Sequence, residues 1–543
     1  MSKVAEYLQE HISGEVVTNR AILDAMSHDA SVLEVVPEMV VYPRVTNDIR
    51  KVTRFAWQLA EKGHTLPITV RGGGTDTNGG AIGKGIILAT KAHLNTILEF
   101  DVKQKLVRVQ PGLGAKTLNA ALALHGLAIP ALAGATQYAT LGGAVGKNSS
   151  SQLSGRYGTM LNWVHQLEVV LANGDILQTE RLSKRELAKR KGSQTFEGEI
   201  YRSIDNLIED NKQLIEEKIG ADTFDMAGYS AIAKVKQKDG SFDLTPLFVG
   251  SQGTLGIVSE MIVKCDFVST NSAIALAAFT SKEVARDALD QLRKFEPASL
   301  DYYDGEFFEL AASAGRKYNF YSDIDGMMAA VIAIGFNDFS ERARQKKLKK
   351  VAKFLDNLET TYTVGDGEEG AILASATEVT SYAVLPGEKG VSAPPLFDGS
   401  YVPIERFEEF STALAELAAK NHTVMPIHLR ALTNTVYARP HLQFHKVGDR
   451  QKILKLLDEY GALVAYYGGA LVADAGEGRV KARFAYAQLD EDLRELYSAI
   501  KAVFDPYNIV NTGVKQGIEV RQLVSLLRND YDTAAFKDEI LFN

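Results

Sequence analysis

Two glycine-dense loops constrain this chain more than any other feature of its sequence. Residues 67–80 read PITVRGGGTDTNGG and residues 139–158 read ATLGGAVGKNSSSQLSGRYG, each following apolar residues. Glycine lets a backbone approach a ligand closely, and successive free amides in such a turn form an anion-binding concavity. Two such loops suit the long diphosphate of a dinucleotide better than a single phosphate. The sequence therefore predicts a nucleotide cofactor.

The two common phosphate-binding motifs do not account for these loops. The P-loop requires G-x-x-x-x-G-K-[ST], but residues 141–148 read LGGAVGKN, with leucine at the first glycine and asparagine after the lysine. The nicotinamide fingerprint G-x-G-x-x-G precedes an acidic residue by about 20 positions. The segment GLGAKT at 112–117 has threonine at the third glycine, and no acidic residue occurs between 111 and 157. A nicotinamide site is not expected.

Five stretches together resemble the p-cresol methylhydroxylase-type FAD domain of the vanillyl-alcohol oxidase superfamily. They are RGGGTDTNGG, ATLGGAVGKNSS, GRYGTMLNWVHQLEVVLANGDIL at 155–177, FVGSQGTLGIVSE at 248–260 and FDPYNIVNTG at 504–513. They occur in the family's order over roughly residues 35–265 and 456–515. Within the superfamily, the chain is most similar to the D-lactate, glycolate and D-2-hydroxyglutarate dehydrogenases. The resemblance implies FAD as cofactor and a hydroxy acid as substrate.

The resemblance and the hydrophobic patterns together predict an α+β fold, a two-part FAD-binding domain with an inserted α+β cap. Alternating strand-like and helical segments after residue 270 predict an antiparallel sheet with helices on one face. Residues 362–395 lack clear periodicity and predict a loop over the site or a weakly packed connection. The expected parts are an N-terminal helical segment at 1–34, the FAD-binding domain of two subdomains at 35–268, the substrate or cap domain at 269–455, and a C-terminal segment at 456–543 that returns to the FAD domain.

Composition agrees with an enzyme of two or three domains. The net charge of −8 argues against nucleic acid as a partner. The single cysteine, Cys265, excludes an internal disulfide, fits a reducing cytoplasm, and is interpreted as a buried strand residue. No apolar run approaches the ~18 residues of a membrane span, so we expect at most peripheral membrane contact. A homodimer remains open.

The resemblance assigns the cofactor site residue by residue. The residues expected to surround the diphosphate are Arg71, Gly72, Gly73, Gly74, Thr75 and Asn78. Those expected to line the second half of the site are Ala139, Thr140, Gly142, Gly143, Asn148, Ser149, Tyr157 and Gly158. Gly253, Thr254 and Ile257 would contact the adenine and ribose, and Asn511 the flavin ring. Family members with covalent flavin often carry histidine where this chain has Thr75, so the resemblance implies non-covalent FAD.

The catalytic positions depart from those of the similar dehydrogenases. Oxidation of a 2-hydroxy acid needs a base and a cation for the carboxylate. The similar enzymes supply the base from a Glu-His-Gly stretch, but here Asp474 stands at the glutamate and Ala475 at the histidine. Alanine cannot accept a proton. This departure brings the parent reaction itself into question.

The metal site of those dehydrogenases is also incomplete. They bind a divalent metal through two histidines near an asparagine; His428 matches the first, and the second falls on Val436 or Tyr437. His441 and His445 would share a strand face about 13 Å apart at ~3.3 Å per residue, too far for one ion. We predict no metal.

The same strand alternation places four polar side chains together. If 423–431 and 436–444 pair as strands, then His428, Arg430, Tyr437 and Arg439 share one face. By resemblance to the family, this face of the sheet would be directed toward the flavin. The alternative is a solvent-exposed sheet face on which the arginines form salt bridges. Our hypothesis is that His428 replaces the missing base and that Arg430 or Arg439 holds an acidic substrate. The Tyr302-Tyr303 pair is interpreted as ordinary sheet residues.

The sequence therefore predicts an FAD-dependent oxidoreductase that oxidises a small 2-hydroxy acid such as D-lactate and passes electrons to an acceptor that the sequence does not identify. Two alternatives stay open. One is a flavin-binding protein that has lost the parent reaction, and the other is an FAD-linked alcohol or sugar oxidase.

Overall fold

The computed structural model describes residues 3–135, 138–220, 223–269, 271–321, 327–358 and 360–531. Its first part is a small sheet with flanking helices. The elements are α1 (Lys3–His11), β1 (Glu15–Val17), α2 (Arg20–Met26), β2 (Met39–Tyr42), α3 (Thr46–Glu61), β3 (Ile68–Arg71) and β4 (Ile86–Ala89). The strand order is β1-β2-β4-β3; β2, β4 and β3 run parallel, and β1 is antiparallel to β2. The segment 1–34 is thus not purely helical, because it also contributes an edge strand.

Helix α3 forms an amphipathic helix, because its apolar residues recur at helical spacing. Ile49, Val52 and Ala56 are buried and pack in one core with the apolar strands of this sheet. Each such buried aliphatic side chain contributes roughly 1.5–3 kcal/mol to stability. The side chain of Asp48 in the first turn accepts the Ser13 and Arg44 amides, which fixes the chain entering the helix.

The second part contains a five-stranded antiparallel sheet ordered β5-β6-β10-β8-β9 and a two-stranded sheet of β7 and β11. Its strands are β5 (Ile97–Asp101), β6 (Leu106–Val109), β7 (Leu127–Ala128), β8 (Val164–Val170), β9 (Ile176–Gln178), β10 (Ile257–Lys264) and β11 (Asp266–Phe267). Its helices are α4 (Ala115–Ala123), α5 (Leu141–Gly146), α6 (Ser154–Tyr157), α7 (Met160–Trp163), α8 (Lys184–Lys191), α9 (Phe196–Asp210), α10 (Lys212–Leu214) and α11 (Thr245–Phe248). Cys265 is buried, and this burial raises the pKa of its thiol to about 11.

The third part is built on a seven-stranded antiparallel sheet ordered β15-β12-β14-β13-β17-β18-β16. Its strands are β12 (Ala273–Phe279), β13 (Ser299–Asp304), β14 (Ala330–Phe336), β15 (Thr361–Asp366), β16 (Phe397–Tyr401), β17 (Ile427–Arg430) and β18 (Thr435–Ala438). Its helices are α12 (Lys282–Arg293), α13 (Glu306–Ser313), α14 (Glu341–Asp356), α15 (Glu368–Ala374), α16 (Val379–Tyr382), α17 (Phe407–Lys420) and α18 (Val447–Tyr466). We call strands β12–β18 the cap sheet, and the cap sheet together with these helices the cap.

The cap differs from the expectation in three respects. Helices α12, α14, α17 and α18 pack on one face of the sheet, but α13 and α16 pack on the other, so helices lie on both faces. The segment 362–395 is not a featureless loop, because it holds most of β15 together with α15 and α16. The expected boundary at 455 falls inside α18, a continuous helix whose Leu456, Leu457 and Tyr460 pack in the core of the cap.

The C-terminal part returns to the cofactor-binding sheets. Its helices are α19 (Ala482–Gln488), α20 (Glu491–Phe504) and α21 (Val520–Leu526). Ile68 at the start of β3 donates its amide to Ile509 O at 2.8 Å, and its carbonyl accepts the Asn511 amide at 2.7 Å. Residues near 510 therefore extend the first sheet beside β3, the strand that leads into the first glycine loop.

None of the helices in the described ranges combines the length and the apolar character that a membrane crossing requires.

Candidate active site

Both glycine loops and the cap sheet line one cavity of about 390 Å³. The sequence-predicted residues that line it are Gly72, Gly73, Gly74, Thr75, Ala139, Thr140, Gly142, Gly143, Ser149, Gly253, Ile257, His428, Arg430 and Arg439. Asp474 and Ala475, from the segment aligned with the Glu-His-Gly stretch, line it as well. The structure thus brings together segments that are more than 350 residues apart in sequence.

The two glycine loops touch each other, and this contact explains why they lack side chains. A Cβ atom at Gly72 would lie 2.1 Å from Thr140 Oγ1, and one at Gly73 would lie 1.8 Å from the Tyr138 carbonyl oxygen. Any larger residue at either position would push the second loop away. Within the described residues, the amides of Gly73, Gly74 and Thr75 donate no hydrogen bond. These free amides form a concavity that suits an anionic diphosphate, so the loops fit the predicted dinucleotide.

Four predicted cofactor residues lie outside the cavity lining and hold the loops in place. Arg71 is buried, and its Nη1 donates to Ala81 O at 3.2 Å. Asn78 Nδ2 donates to the Gly476 carbonyl at 3.0 Å, which joins the first loop to the segment beside Ala475. Asn511 Nδ2 donates to Gly80 O at 3.0 Å and to Gln252 O at 2.6 Å. Thr254 Oγ1 donates to Ser251 O at 2.7 Å.

The remaining three also make contacts within the protein. Asn148 Oδ1 accepts the Leu161 amide at 2.8 Å. The Tyr157 hydroxyl accepts Asn337 Nδ2 at 3.0 Å, and this bond joins the second loop to the cap. Gly158 ends α6 with φ of 75°, a left-handed conformation that favours glycine. Direct contact of these seven residues with the cofactor stays a prediction.

His428 lies on the cap-sheet face that lines the cavity, held between two tyrosine rings. Its ring stacks on Tyr303 at 4.3 Å and on Tyr437 at 4.9 Å between centroids. Its Nε2 lies 2.9 Å from Asp301 Oδ1. A carboxylate only accepts hydrogen bonds, so Nε2 carries the proton and Nδ1 keeps its lone pair. Burial lowers the pKa of His428, which keeps the imidazole neutral and able to accept a proton near pH 7.

Only one of the three guanidinium nitrogens of Arg430 donates a hydrogen bond within the described residues. Its Nη1 donates to Ser150 Oγ at 2.6 Å and lies 3.4 Å from Asp474 Oδ2. Within the described residues, Nε and Nη2 donate to no protein atom, and Nε is buried. The guanidinium lies over the Tyr437 ring, 4.8 Å from its centroid. This cation can bind a carboxylate in the cavity.

Asp474 is ionised beneath Arg430. Its Oδ2 accepts the Tyr437 hydroxyl at 2.6 Å. Burial raises the pKa of this carboxyl, but Arg430, the Tyr437 hydroxyl and Lys147 outweigh burial and hold the pKa below its usual value. A carboxylate held in this way is a weak base, which leaves His428 as the better proton acceptor.

In Arg439, in contrast, each of the three guanidinium nitrogens donates a hydrogen bond to the protein. Its Nε and Nη2 donate to the two carboxylate oxygens of Asp398 at 3.0 and 2.7 Å, and its Nη1 donates to Thr380 O at 2.6 Å. Beneath this pair, Lys481 Nζ donates to Asp398 O at 2.8 Å. Complete burial lowers the pKa of Lys481 to about 8. Both arginines thus line the cavity and both have a carboxylate partner, but the ion pair of Arg439 is bidentate and shorter than that of Arg430.

Sequence reasoning missed several residues of this site. Ser150 follows the predicted Ser149 directly, so the serine run at 149–151 carried a usable signal. No sequence signal pointed to Asp398 and Thr380, because they contact Arg439 only through the pairing of β16 with β18 and the position of α16. Tyr303 packs against His428 rather than serving only as an ordinary sheet residue.

The residues around His428 do not suit a divalent metal. Among the described residues, no group of three or more His, Cys, Asp or Glu could hold one. The register pairs His428 with Tyr437, so a phenol lies where the second ligand was sought, and the Arg430 guanidinium lies beside Asp474. A fixed cation there repels a metal ion. Strand β18 ends at Ala438, so His441 and His445, which the sequence placed on one strand face, lie beyond the end of the observed strand.

Comparison with known proteins identifies two domains in this chain and similar folds. The model of the FAD binding domain matches residues 37–180, and the model of the FAD linked oxidases C-terminal domain matches residues 268–514. The fold is similar to p-cresol methylhydroxylase with substrate bound, with a TM-score of 0.66 at 14% identity over 96% of this chain and 97% of that one.

Curated relatives of similar sequence have related names. D-2-hydroxyglutarate dehydrogenase of Pantoea ananatis is 27% identical over 92% of this chain and 50% of its own length. A glycolate oxidase subunit of Bacillus subtilis is 25% identical over 90% and 91%, and D-lactate dehydrogenase of Archaeoglobus fulgidus is 24% identical over 88% and 90%. The chain spans about half the length of the D-2-hydroxyglutarate dehydrogenases it matches. Its two matched domains show that it belongs to the FAD-linked oxidoreductases, and its fold is similar to that of p-cresol methylhydroxylase.

Proposed function

We propose that this chain oxidises a small 2-hydroxy acid of the D-lactate type, with FAD bound non-covalently. One observation carries the proposal: a neutral, cavity-facing His428 lies beside a partly unpaired guanidinium, Arg430, in the same cavity as the two glycine loops. A base and a carboxylate anchor are the two groups that oxidation of a hydroxy acid requires.

The residues that would hold FAD are those of the two loops. The free amides of Gly73, Gly74 and Thr75 would bind the diphosphate, and the second loop and the Gly253 turn supply the rest of the lining. When bound, FAD supplies the hydride acceptor. Thr75 lacks a nucleophilic nitrogen, which supports non-covalent attachment.

His428 would take the proton of the substrate hydroxyl on Nδ1. Its Nε2–H bond to Asp301 fixes this tautomer and stabilises the imidazolium that forms. The tyrosine rings on both faces of the imidazole leave only its edge for a substrate. His428 of the cap sheet would thereby replace the basic histidine nitrogen that this chain lacks at Ala475.

Arg430 would bind the carboxylate of the substrate. Guanidinium binds carboxylate through two parallel hydrogen bonds, and Nη2 has no partner in the described part of the chain. The names of the relatives, which include D-lactate dehydrogenase and a glycolate oxidase subunit, support a hydroxy acid.

Anaerobic bleaching of the flavin tests this function. The holoprotein is mixed with D-lactate, glycolate, a simple aliphatic alcohol and a sugar, and the loss of its visible absorbance is followed. D-lactate or glycolate should bleach it. Bleaching only by alcohols or sugars would identify an oxidase of another class, and no bleaching by any substrate would identify a flavin protein without the parent reaction.

The role of His428 is tested in the same assay. His428→Ala should slow flavin reduction by D-lactate about 10²–10⁴-fold, the range that general bases contribute. His165→Ala is the matched control, because His165 is exposed in β8 and outside the cavity lining. An unchanged reduction rate in His428→Ala would remove His428 from the mechanism.

We also propose that the chain acts in the cytoplasm and gives its electrons to a separate acceptor. The single buried cysteine supports this location. Reoxidation of the bleached protein by oxygen, a soluble quinone or a cytochrome distinguishes the three kinds of acceptor. Its elution volume compared with that of a 59.3 kDa monomer tests for a homodimer.

A further inference from the structure

Arg430 and Arg439 lie on opposite sides of His428 along the cap sheet. His428 pairs with Tyr437, and β17 and β18 are antiparallel. Arg430 lies two residues beyond His428 and Arg439 two residues beyond Tyr437, in the opposite direction. The Arg439 amide donates to Pro426 O at 3.2 Å, which extends the pairing. At ~3.3 Å per residue, the two arginines lie about 13 Å apart along the sheet, and both line the cavity.

The two arginines differ in what already binds them. Arg439 has a bidentate carboxylate partner in Asp398 and a third bond to Thr380 O. Arg430 has only a hydroxyl at close range and a carboxylate at 3.4 Å. Lys147 acts on Asp474, at the Arg430 end of the site, and both residues line the cavity. Lys481 lies under Asp398 but is completely buried, so it does not contact a substrate.

A substrate with one carboxylate needs only the Arg430 end. A second carboxylate directed to the Arg439 end would meet an arginine already neutralised by Asp398, and it would approach that carboxylate closely. Desolvating a charged group without a free partner is unfavourable. The site is therefore built for a single anionic group.

We propose that Asp398 is a specificity-determining residue that makes this site select 2-hydroxy monocarboxylates over 2-hydroxy dicarboxylates, by occupying Arg439. This inference rests on the proposed function and narrows its substrate class. It separates the chain from relatives named for D-2-hydroxyglutarate, a dicarboxylate.

Flavin-reduction kinetics with D-lactate and D-2-hydroxyglutarate test the proposal on the holoenzyme. In the wild type, kcat/KM for flavin reduction should be about 100-fold higher with D-lactate than with D-2-hydroxyglutarate. This is the factor that one charge-assisted hydrogen-bonded pair contributes to binding. Asp398→Asn frees Arg439 and should shift this ratio toward D-2-hydroxyglutarate about tenfold or more, mainly through a lower KM for the dicarboxylate. The double variant Asp398→Asn/Arg439→Gln should lose that shift, because the gain requires the freed arginine.

Inhibition of the wild type gives a test that does not depend on the folding of a variant. Glutarate should inhibit D-lactate oxidation no more tightly than butyrate, although it carries a second charge. Tighter binding of glutarate, equal use of both substrates by the wild type, or an unchanged ratio in a folded Asp398→Asn would overturn the specificity role. In those cases D-lactate oxidation itself would stand. No reduction by either acid would overturn the proposed function and this inference with it.

Discussion

Asp301→Asn gives the sharpest test of the His428 assignment. The wild-type carboxylate accepts from Nε2 at 2.9 Å, and Asp301 and His428 are 1% and 6% exposed, so solvent does not screen the pair. A buried hydrogen bond to a charged group contributes about 1.5–3 kcal/mol, and losing it lowers a rate about 10–150-fold. The asparagine amide can also donate to Nε2, which would place the proton on Nδ1 and remove the lone pair that the proposed base requires. We therefore expect flavin reduction to slow about 10²–10³-fold.

The pH profile separates this role from a merely structural one. Burial lowers the pKa of His428, whereas Asp301 raises it, and Arg430 and Arg439 lower it. Removing the Asp301 charge therefore lowers this pKa further. The acid limb of the pH–rate profile should move to lower pH in Asp301→Asn, although the plateau rate falls. A variant that was only misfolded would lose FAD without moving the limb.

Asp304→Asn is the matched control for this experiment. Asp304 is a buried carboxylate of the same strand, β13, but it bonds Tyr302 and the Ile427 amide and does not line the cavity. Its loss should lower stability and leave the reduction rate near that of the wild type. The reasoning would be refuted if Asp301→Asn, with FAD bound, reduced its flavin at the wild-type rate, or if Asp304→Asn slowed it equally.

Two predictions concern the architecture around the cavity. Gly73→Ala should weaken FAD binding about tenfold or more in a titration of the apoprotein. The added Cβ would lie 1.8 Å from the Tyr138 carbonyl oxygen, and overpacking of this kind costs about 1–3 kcal/mol. Gly448→Ala is the control and should retain FAD, because no atom lies near the added Cβ. Lys515 Nζ lies 2.8 Å from Glu477 Oε2, and the two side chains are 1% and 0% exposed. Lys515→Met should destabilise the fold by about 3–5 kcal/mol, because it leaves the Glu477 carboxylate buried without its cation. Lys515→Met/Glu477→Gln should recover most of the lost melting temperature, and a double variant less stable than the single one would contradict the ion-pair argument.

The sequence predicted the cofactor part of the fold well because glycine constrains the backbone locally. Residues of both loops, at 72–75 and 139–143, line the cavity as expected. The prediction that His428, Arg430, Tyr437 and Arg439 share a face is confirmed, since all four line one cavity. It rested on strand alternation, which fixes the side of a sheet that a residue faces.

What the sequence could not predict depends on partners far away in the chain. Asp301 meets His428 across 127 positions, and Asp398 meets Arg439 across 41. Neither spacing has a local signature, because both arise from the strand order of the cap sheet. The segment 362–395 was difficult for another reason: its elements are short, and Ile372 in α15 is exposed, so helical periodicity is weak.

The joining of Asn511 to both Gly80 and Gln252 has a consequence for biosynthesis. The backbone around residue 510 completes the first sheet, and residues 474 and 475 form part of the cavity wall. A ribosome-bound nascent chain that has emerged only as far as the cap therefore lacks one wall of the pocket and the residue that ties its loops together. The pocket is complete only after nearly all of the described chain has been synthesised, so we expect vitamin shortage to act on finished apoprotein rather than on translation intermediates.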